Sequence, residues 1–312
     1  MEDIKISIIV SVYNEQEVLP YFHQEMIKVL DAMKISFELI YVNDGSRDYS
    51  QRILEELSYG RSRIKVINFS KNFGHEAAMI AGIDNSTGDF IVCIDADLEK
   101  PPSEVVNMYR SFLDGYDVVN MVYCEDGNRE RSKQYTAKMY YKFLNKISRV
   151  QFVENASDFF GISRRVANVL KEEYREKRRY IRGYIQSMGF QSVSLQYVPN
   201  KRYAGESKYN FKSLFHLAVV AITDFSDKPL QLGFYFAVFC LLLTGVEGIS
   251  LIHDIHDGID PVSLKMMATI FLFLFAIMFF LIGVLGIYLG DIQKECKKNP
   301  IYLIKDKYNF GP

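Results

Sequence analysis

The chain has 312 residues with nearly balanced charge, 37 Lys plus Arg against 38 Asp plus Glu, which gives no electrostatic ground for nucleic-acid binding. A hydrophobic fraction of 49% beside 24% charged residues excludes a disordered or collagen-like chain. The length predicts about two structural units.

The first half alternates β-rich runs with helical ones. Residues 4–12 (IKISIIVSV) form a nearly continuous apolar run, as expected of a parallel strand buried on both faces. From Glu15 to Met33, Val18, Leu19, Phe22, Met26, Val29 and Leu30 recur at helical spacing, and Phe37 to Val42 is a second strand ending in the turn Asn43-Asp44-Gly45-Ser46. The pattern continues as helix 48–59, strand 64–69, helix 75–85, strand 90–95, helix 102–114 and strand 117–122. Such alternation predicts an α/β fold with a mostly parallel sheet whose ligands lie at the carboxyl ends of the strands. Cys93, Cys124, Cys240 and Cys296 are widely spaced, without a CxxC or Cys/His cluster, and read as reduced packing residues. The run from Ile6 to Val12 is too short and β-branched for a signal peptide, so the first domain is expected in the cytoplasm.

After residue 123 the alternation weakens; Glu125 to Arg149, rich in basic and aromatic residues, is read as a loop and a helix over the mouth of the sheet. Phe211, Leu214, Phe215, Ala218, Val219, Ile222 and Phe225 fall on one stripe, which predicts an amphipathic helix lying at a membrane interface. Met266 to Gly290 carries no charge and is long enough to cross about 30 Å of hydrocarbon. Pro229 to Ile252, apolar apart from Glu247, predicts a first span, joined to it by a polar hairpin from His253 to Lys265. The expected division is therefore a domain over 1–210, an interfacial helix over 211–228, a two-span hairpin over 229–290 and a tail over 291–312.

Orientation follows from the basic residues. The hairpin has only Lys265, whereas Lys201, Arg202, Lys208, Lys212 and Lys228 precede the first span and Lys294, Lys297, Lys298, Lys305 and Lys307 follow the second, which places both termini on the cytoplasmic side of the cell membrane. Glu247 is costly in lipid; it faces the other span, another subunit or a polar cavity, or else lies near the far interface. Gly283, Gly286 and Gly290 have helix-packing spacing and favour a homo-oligomer.

Three strand ends present polar groups to one crevice: Val12-Tyr13-Asn14-Glu15, Asn43-Asp44-Gly45-Ser46-Arg47-Asp48 and Asp95-Ala96-Asp97. Two carboxylates at i and i+2 on a strand end suit a hard cation, Mg²⁺ or Mn²⁺, whose other ligands are phosphate and water. An isolated acid pair in a loop is more often merely solvated, and Tyr13, Glu15 and Asp44 also serve as turn-capping residues. Together VSVYNE (Val10 to Glu15), VNDGSRD (Val42 to Asp48) and DADLEKPP (Asp95 to Pro102) resemble glycosyltransferase family 2, the GT-A (Rossmann-like) enzymes that use nucleotide sugars. Ser157-Asp158-Phe159, Arg182-Gly183, Arg202-Tyr203-Ala204-Gly205-Glu206-Ser207-Lys208-Tyr209 and the two spans extend the resemblance to the polyprenyl-phosphate branch, similar to dolichol-phosphate mannose synthases and bactoprenol-linked glucosyltransferases.

The resemblance implies that Tyr13 and Glu15 flank the base or ribose, that Asp44 hydrogen-bonds the base, that Asp95 contacts ribose or a metal-bound water, and that Asp97 binds the metal, with Ala96 between them in the nucleotide-sugar site. Asn43 stands where the family commonly has an acid, and Phe160-Gly161 where relatives continue with Arg-Leu. A lipid monophosphate is already an anionic nucleophile, so cations matter more than a strong base. Arg129, Arg131 and Lys133, with Arg202, Ser207 and Lys208, are the expected acceptor-phosphate ligands, the first three reading equally as a solvated charged face. Asp158 is expected as general base or as an acceptor for sugar hydroxyls. The implied reaction is inverting transfer from a nucleotide sugar, UDP-glucose by family frequency, to polyprenyl (undecaprenyl) phosphate. UDP-N-acetylglucosamine or another donor, and a catalytically silent nucleotide-binding scaffold, are the alternatives. A processive polysaccharide synthase would need a QxxRW motif, and this chain has no Trp.

Overall fold

A computed structural model describes residues 4–123, 153, 156–175, 180–200, 262–297 and 299–311, with isolated positions between 235 and 256. It divides into two compact units: Met1–Asn145 with Val150–Leu214 and Pro300–Pro312, and Lys146–Arg149 with Phe215–Asn299.

The first unit is built on one eight-stranded sheet. In chain order its elements are β1 (Lys5–Val12), α1 (Leu19–Met33), β2 (Ser36–Asn43), α2 (Ser50–Ser58), β3 (Ile64–Phe69), α3 (His75–Asn85), β4 (Phe90–Asp95), α4 (Glu104–Leu113), β5 (Val118–Tyr123), β6 (Ala156–Ser163), α5 (Arg164–Glu173), α6 (Ile181–Ser187), β7 (Ser192–Tyr197) and, near the C-terminus, β8 (Ile304–Tyr308). The sheet order is β7-β5-β6-β4-β1-β2-β3-β8, and only β6 and β8 run against the other strands. This is the expected mostly parallel, Rossmann-like sheet, with boundaries through β5 within a few residues of those read from periodicity. Ile6, Ile8, Ile9 and Val10 on β1 are fully buried because helices cover both faces of a parallel sheet.

α1 turns Leu19, Phe22, Met26 and Leu30 inward on one stripe, and Pro20 in its first turn costs no helical hydrogen bond. α3 is small or apolar throughout Ala77–Ile83, and at Gly82 an added Cβ would come within 2.2 Å of Ile9 Cγ2, so the helix can lie this close to β1 only without a side chain there. Gly161 on β6 is similar: a Cβ would meet Phe90 Cζ at 2.3 Å. The departure at Phe160-Gly161 is thus a packing solution, with Phe160 itself 1% exposed and Phe90 occupying the room a Leu would need.

Two structural features were absent from the sequence reading. β6 and β7 were not foreseen, since ASDFFGIS mixes polar residues and glycine into the run and SVSLQY is a half-buried edge. The segment assigned as a tail, 291–312, contributes β8, antiparallel to β3. Tyr302 stacks on Phe69 with ring centroids 5.3 Å apart, and the Asn309 side-chain amide donates to the carbonyls of Ser58 and Ile64, each at 2.7 Å.

In the second unit, α7 (Val262–Cys296) is 35 residues, about 52 Å at 1.5 Å per residue. Its stretch Phe273–Gly290 is long and apolar enough to cross a membrane, and Phe273, Phe275, Phe279, Phe280 and Leu289 are exposed on it. The helix starts at Val262, and His253 and His256 are also helical. The rest of the expected first span with Glu247, the expected interfacial helix, and the loop and helix expected over 125–149 lie outside the described residues.

Candidate functional site

Strand order creates the crevice. The chain proceeds β1, β2, β3 to one side, then crosses to put β4 on the other side of β1, so the connections leaving β1 and β4 diverge at their carboxyl ends. Such a switch point is where open α/β sheets bind ligands. Ser11 and Asp95 are register partners there, and Ser11 Oγ donates to Asp95 Oδ1 at 3.1 Å. β6 enters from the opposite direction, pairing Phe160 with Cys93. Continuing that register by two residues puts Asp158 opposite Asp95 on the same face, although the two lie far apart in sequence.

Side chains from three other elements meet this acid pair. His75 opens α3 behind Gly74 (φ 98°); its Nδ1 is 2.8 Å from Ser11 Oγ and 3.5 Å from Asp95 Oδ1, and its Nε2 is 4.0 Å from Asp158 Oδ2. A hydroxyl has one proton; with it on Asp95, Ser11 accepts from His75, which makes Nδ1 the protonated ring nitrogen. Lys100, its side chain 5% exposed, forms an ion pair with Asp95 Oδ2. Arg182 Nε lies 2.9 Å from Asp158 Oδ1, and its guanidinium also reaches the Ala156 carbonyl. Burial opposes ionisation of Asp95, but Lys100 and His75 outweigh it and hold the pKa at about 2. Burial opposes ionisation of Asp158 as well, yet Arg182 and His75 keep it below the usual carboxylate range. Glu76, whose Oε2 accepts the Ile181 N–H at 3.1 Å, is pushed up to about 7 by burial and by the charge of Asp158.

Asp97 sits at the entry of a constrained turn. Its Oδ1 accepts the Glu99 N–H at 3.1 Å, and Leu98 between them has φ 58°, unusual for a bulky side chain. Asn200 braces the turn, its backbone N–H donating to the Glu99 carbonyl at 2.9 Å. Burial and the neighbouring Asp95 charge raise the Asp97 pKa above the ordinary value. Two hard carboxylates at i and i+2 fit a Mg²⁺ or Mn²⁺ ion that draws its remaining ligands from a diphosphate and water. Among the described residues there is no group of three or more His, Cys, Asp and Glu that could hold a metal ion by themselves.

The side expected to hold the base is a laced pair of loops. Asn14 (φ 55°) accepts the Arg47 N–H on its Oδ1 at 2.8 Å and donates its own backbone N–H to Ser46 Oγ at 3.0 Å; the Glu15 N–H donates to Ser50 Oγ at 2.9 Å. Tyr13 and Glu15 are half-buried beside the crevice end of β1. Asp44 is 3% exposed, and its two oxygens accept the N–H groups of Phe73 (2.6 Å) and Gly74 (2.9 Å). It therefore anchors the loop that delivers His75, and a contact with a base would use its remaining lone pairs. Gly45 makes this fit possible: at φ 65° a Cβ would lie 2.4 Å from the Lys71 carbonyl carbon.

Asp95, Ala96, Asp97 and Asp158 thus gather at one switch point with Tyr13, Glu15 and Asp44 on the adjoining loops. Arg129, Arg131, Lys133, Arg202, Ser207 and Lys208 lie outside the described residues. The sequence reading missed Ser11, His75, Glu76 and Lys100; the signal for the middle two was a His-Glu pair opening a helix directly behind a glycine.

A family model described as "Glycosyl transferase family 2" matches residues 7–170. An uncharacterized glycosyltransferase of Bacillus subtilis, YkcC, is 35% identical over 98% of this chain and 95% of its own. The bactoprenol glucosyl transferase of Shigella phage SfX is 34% identical over 97% of this chain and 100% of its own. Among solved structures, glucosyl-3-phosphoglycerate synthase from Mycobacterium tuberculosis in complex with Mn²⁺, UDP and phosphoglyceric acid shares the fold, with TM-score 0.51 and 18% identity over 70% of this chain and 76% of that one. Full-length similarity of this kind, on a sheet that gathers the family's acidic motifs at one crevice, makes the chain a glycosyltransferase of family 2, in the branch that includes the bactoprenol glucosyl transferases.

Proposed function

We propose that the protein transfers a sugar, with inversion, from a nucleotide diphosphate sugar to polyprenyl phosphate at the cytoplasmic face of the membrane, with UDP-glucose the favoured donor and undecaprenyl phosphate the favoured acceptor. The observation that carries this reading is that His75 lies 3.5 Å from Asp95 Oδ1 and 4.0 Å from Asp158 Oδ2, so the carboxylate proposed for the sugar stands beside the acid pair proposed for the nucleotide side. The bactoprenol glucosyl transferases, similar along their whole length, support the lipid acceptor and a glucosyl donor.

The chemistry follows from charge. Asp97, with Asp95, would hold Mg²⁺ or Mn²⁺, which when bound offsets the charge of the departing diphosphate. Tyr13, Glu15 and Asp44 hold the nucleoside. The acceptor phosphate needs little activation, and Asp158, kept ionised by Arg182, is a weak base; it therefore orients sugar hydroxyls so that the anomeric carbon faces the incoming oxygen. Arg129, Arg131, Lys133, Arg202, Ser207 and Lys208 are the proposed ligands of the lipid phosphate. One displacement inverts the anomeric centre, so an α-linked donor yields a β-linked product.

Topology supports the membrane setting. Because β8 pairs with β3, the chain on either side of the apolar segments belongs to one sheet and lies on one side of any bilayer. The number of crossings between them is then even, which supports 229–252 as a second span alongside Phe273–Gly290. The test is transfer by purified protein in detergent with undecaprenyl phosphate, Mg²⁺ or Mn²⁺ and a panel of nucleotide sugars, with products identified by mass. A single glycosylated lipid phosphate, lost with chelator or with Asp97→Ala, is expected. Transfer to soluble acceptors and never to the lipid would overturn the proposal.

A further inference from the structure

Asp44 accepts the N–H groups of Phe73 and Gly74, so the nucleoside contact proposed for it depends on where the loop over 70–74 lies. That loop is held from another side by the far end of the chain. β8 pairs Ile304 with Phe69, the last residue of β3, and because the two strands are antiparallel the residues just before β8 run alongside the start of the loop. The Leu303 carbonyl accepts the Ser70 N–H at 3.0 Å. The Tyr302 ring stacks on Phe69 with centroids 5.3 Å apart and planes at 10°, and Phe69 meets Phe73 edge to face at 5.7 Å. A row of three rings thus runs from Tyr302 to a residue whose N–H is bonded to Asp44.

The hydroxyl fixes the ring at the head of that row. It donates to Asp84 Oδ2 at 2.7 Å, and Asp84 lies in the last turn of α3, where an acid opposes the helix dipole. Arg175 offsets the charge with bonds of 2.9 Å to Oδ1 and 3.1 Å to Oδ2. One side chain therefore joins the strand before α3 to the end of α3, and it lies six residues beyond Cys296, the last residue of α7. We propose that Tyr302 is a positioning residue for the donor: stacked on Phe69 and tied to Asp84, it holds the loop over 70–74 where Phe73 and Gly74 meet Asp44, and so sets the affinity of the nucleoside side of the site. This rests on the nucleoside role proposed for Asp44. Linkage makes the coupling reciprocal, so a nucleotide that engages Asp44 tightens the segment around Tyr302 as well.

The experiment uses the purified full-length protein in detergent. UDP affinity is read by titration calorimetry with Mn²⁺ present, and local order by hydrogen exchange of peptides covering 68–74 and 300–305. Tyr302→Leu is expected to weaken UDP binding about fivefold, equivalent to about 1 kcal/mol, and to raise the KM for the nucleotide sugar by a similar factor. The KM for the lipid phosphate should stay within about twofold of wild type, and exchange should quicken in 68–74 and not in β1. Tyr302→Phe, which keeps the stacked ring, should restore UDP binding to within about twofold. In wild type, bound UDP should slow exchange in 300–305, and this arm decides the matter if Tyr302→Leu fails to fold. UDP affinity and 68–74 exchange unchanged in Tyr302→Leu would overturn the proposal. So would 300–305 exchange that does not respond when UDP is bound. Failure of the nucleoside reading is distinguishable, because wild type then binds no UDP while 68–74 exchange still reports whether Tyr302 holds the loop.

Discussion

At the end of the sheet opposite the crevice, Glu38 on β2 is 1% exposed and carries five donors: Ser7 Oγ (2.6 Å), the Thr87 N–H (2.6 Å) and hydroxyl (3.0 Å) on Oε1, and Lys65 (2.7 Å) and Lys5 (3.2 Å) on Oε2. One carboxylate thus ties β1, β2, β3 and the turn before β4. Burial alone would raise its pKa, but the bonds from Lys65, Ser7 and Thr87 win and lower it from 4.5 to about 2. A folded-state pKa below the unfolded one means stability that is fully present above about pH 4.5 and lost as pH falls through about 2. At 1.36 kcal/mol for each pH unit between the two values, the contribution is about 3 kcal/mol at pH 7 and about 1.4 kcal/mol at pH 3. Glu38→Gln keeps the shape and removes the charge. Thermal unfolding of both proteins in detergent, followed by circular dichroism, should show the variant melting lower by about 6–12 °C at pH 7. The gap should shrink to less than half of that at pH 3, other titrating groups cancelling in the comparison. A gap that is the same at both pH values would refute the reasoning, since it would mean that Glu38 acts through packing and not through ionisation.

Gly161→Leu, the residue that the family resemblance leads one to expect here, should destabilise the protein by about 1–3 kcal/mol through collision with Phe90, and Phe90→Leu in the same chain should recover part of it; urea unfolding of both measures this. Arg182→Met removes the partner that holds Asp158 ionised, so the Asp158 pKa rises and the acidic limb of the pH–rate profile moves to higher pH, with Arg182→Lys partly restoring it. A limb that stays in place would separate Asp158 from the rate. Ending the chain after Leu303 strips β8 from the edge of β3 and should produce larger species on size exclusion in the same detergent, whereas an unchanged elution profile would mean that the β3 edge needs no cover.

The nucleotide half was legible because its physics is local. A parallel strand buried on both faces, such as IKISIIVSV, and helices whose apolar residues recur at 3.6 spacing declare themselves in a dozen residues, so β1 to β5 fell close to their predicted places. The acid-rich strand ends could be read for the same reason, since a βα turn exposes side chains that neighbours in sequence identify. β6 could not be read so. Ala156–Ser163 has the composition of a loop and becomes a strand only because β4 and β5 leave a gap between them that an antiparallel strand fills. Likewise β8 is an alternation of Ile304, Asp306 and Tyr308 with two lysines, and nothing within five residues reveals an open edge more than 200 positions upstream.

The same distinction explains which site residues escaped. Asp158 was found through resemblance, but its meaning depends on register, since a slip of one residue in β6 would turn it to the other face of the sheet and away from Asp95. The pairing of Phe90 with Ser163 through Cys93 with Phe160 pins that register, and Gly161 packed against Phe90 is what lets β6 lie there. His75, Lys100 and Arg182 then arrive from three different loops and helix starts, and each meets a carboxylate that sequence alone assigns to the substrate. A cluster of acids assembled to hold a dianionic donor through a cation would repel itself in the unliganded protein. Lys100 and Arg182 answer that repulsion with charge and His75 with its ring nitrogens, so side chains brought in from distant parts of the chain keep the readable acids in place.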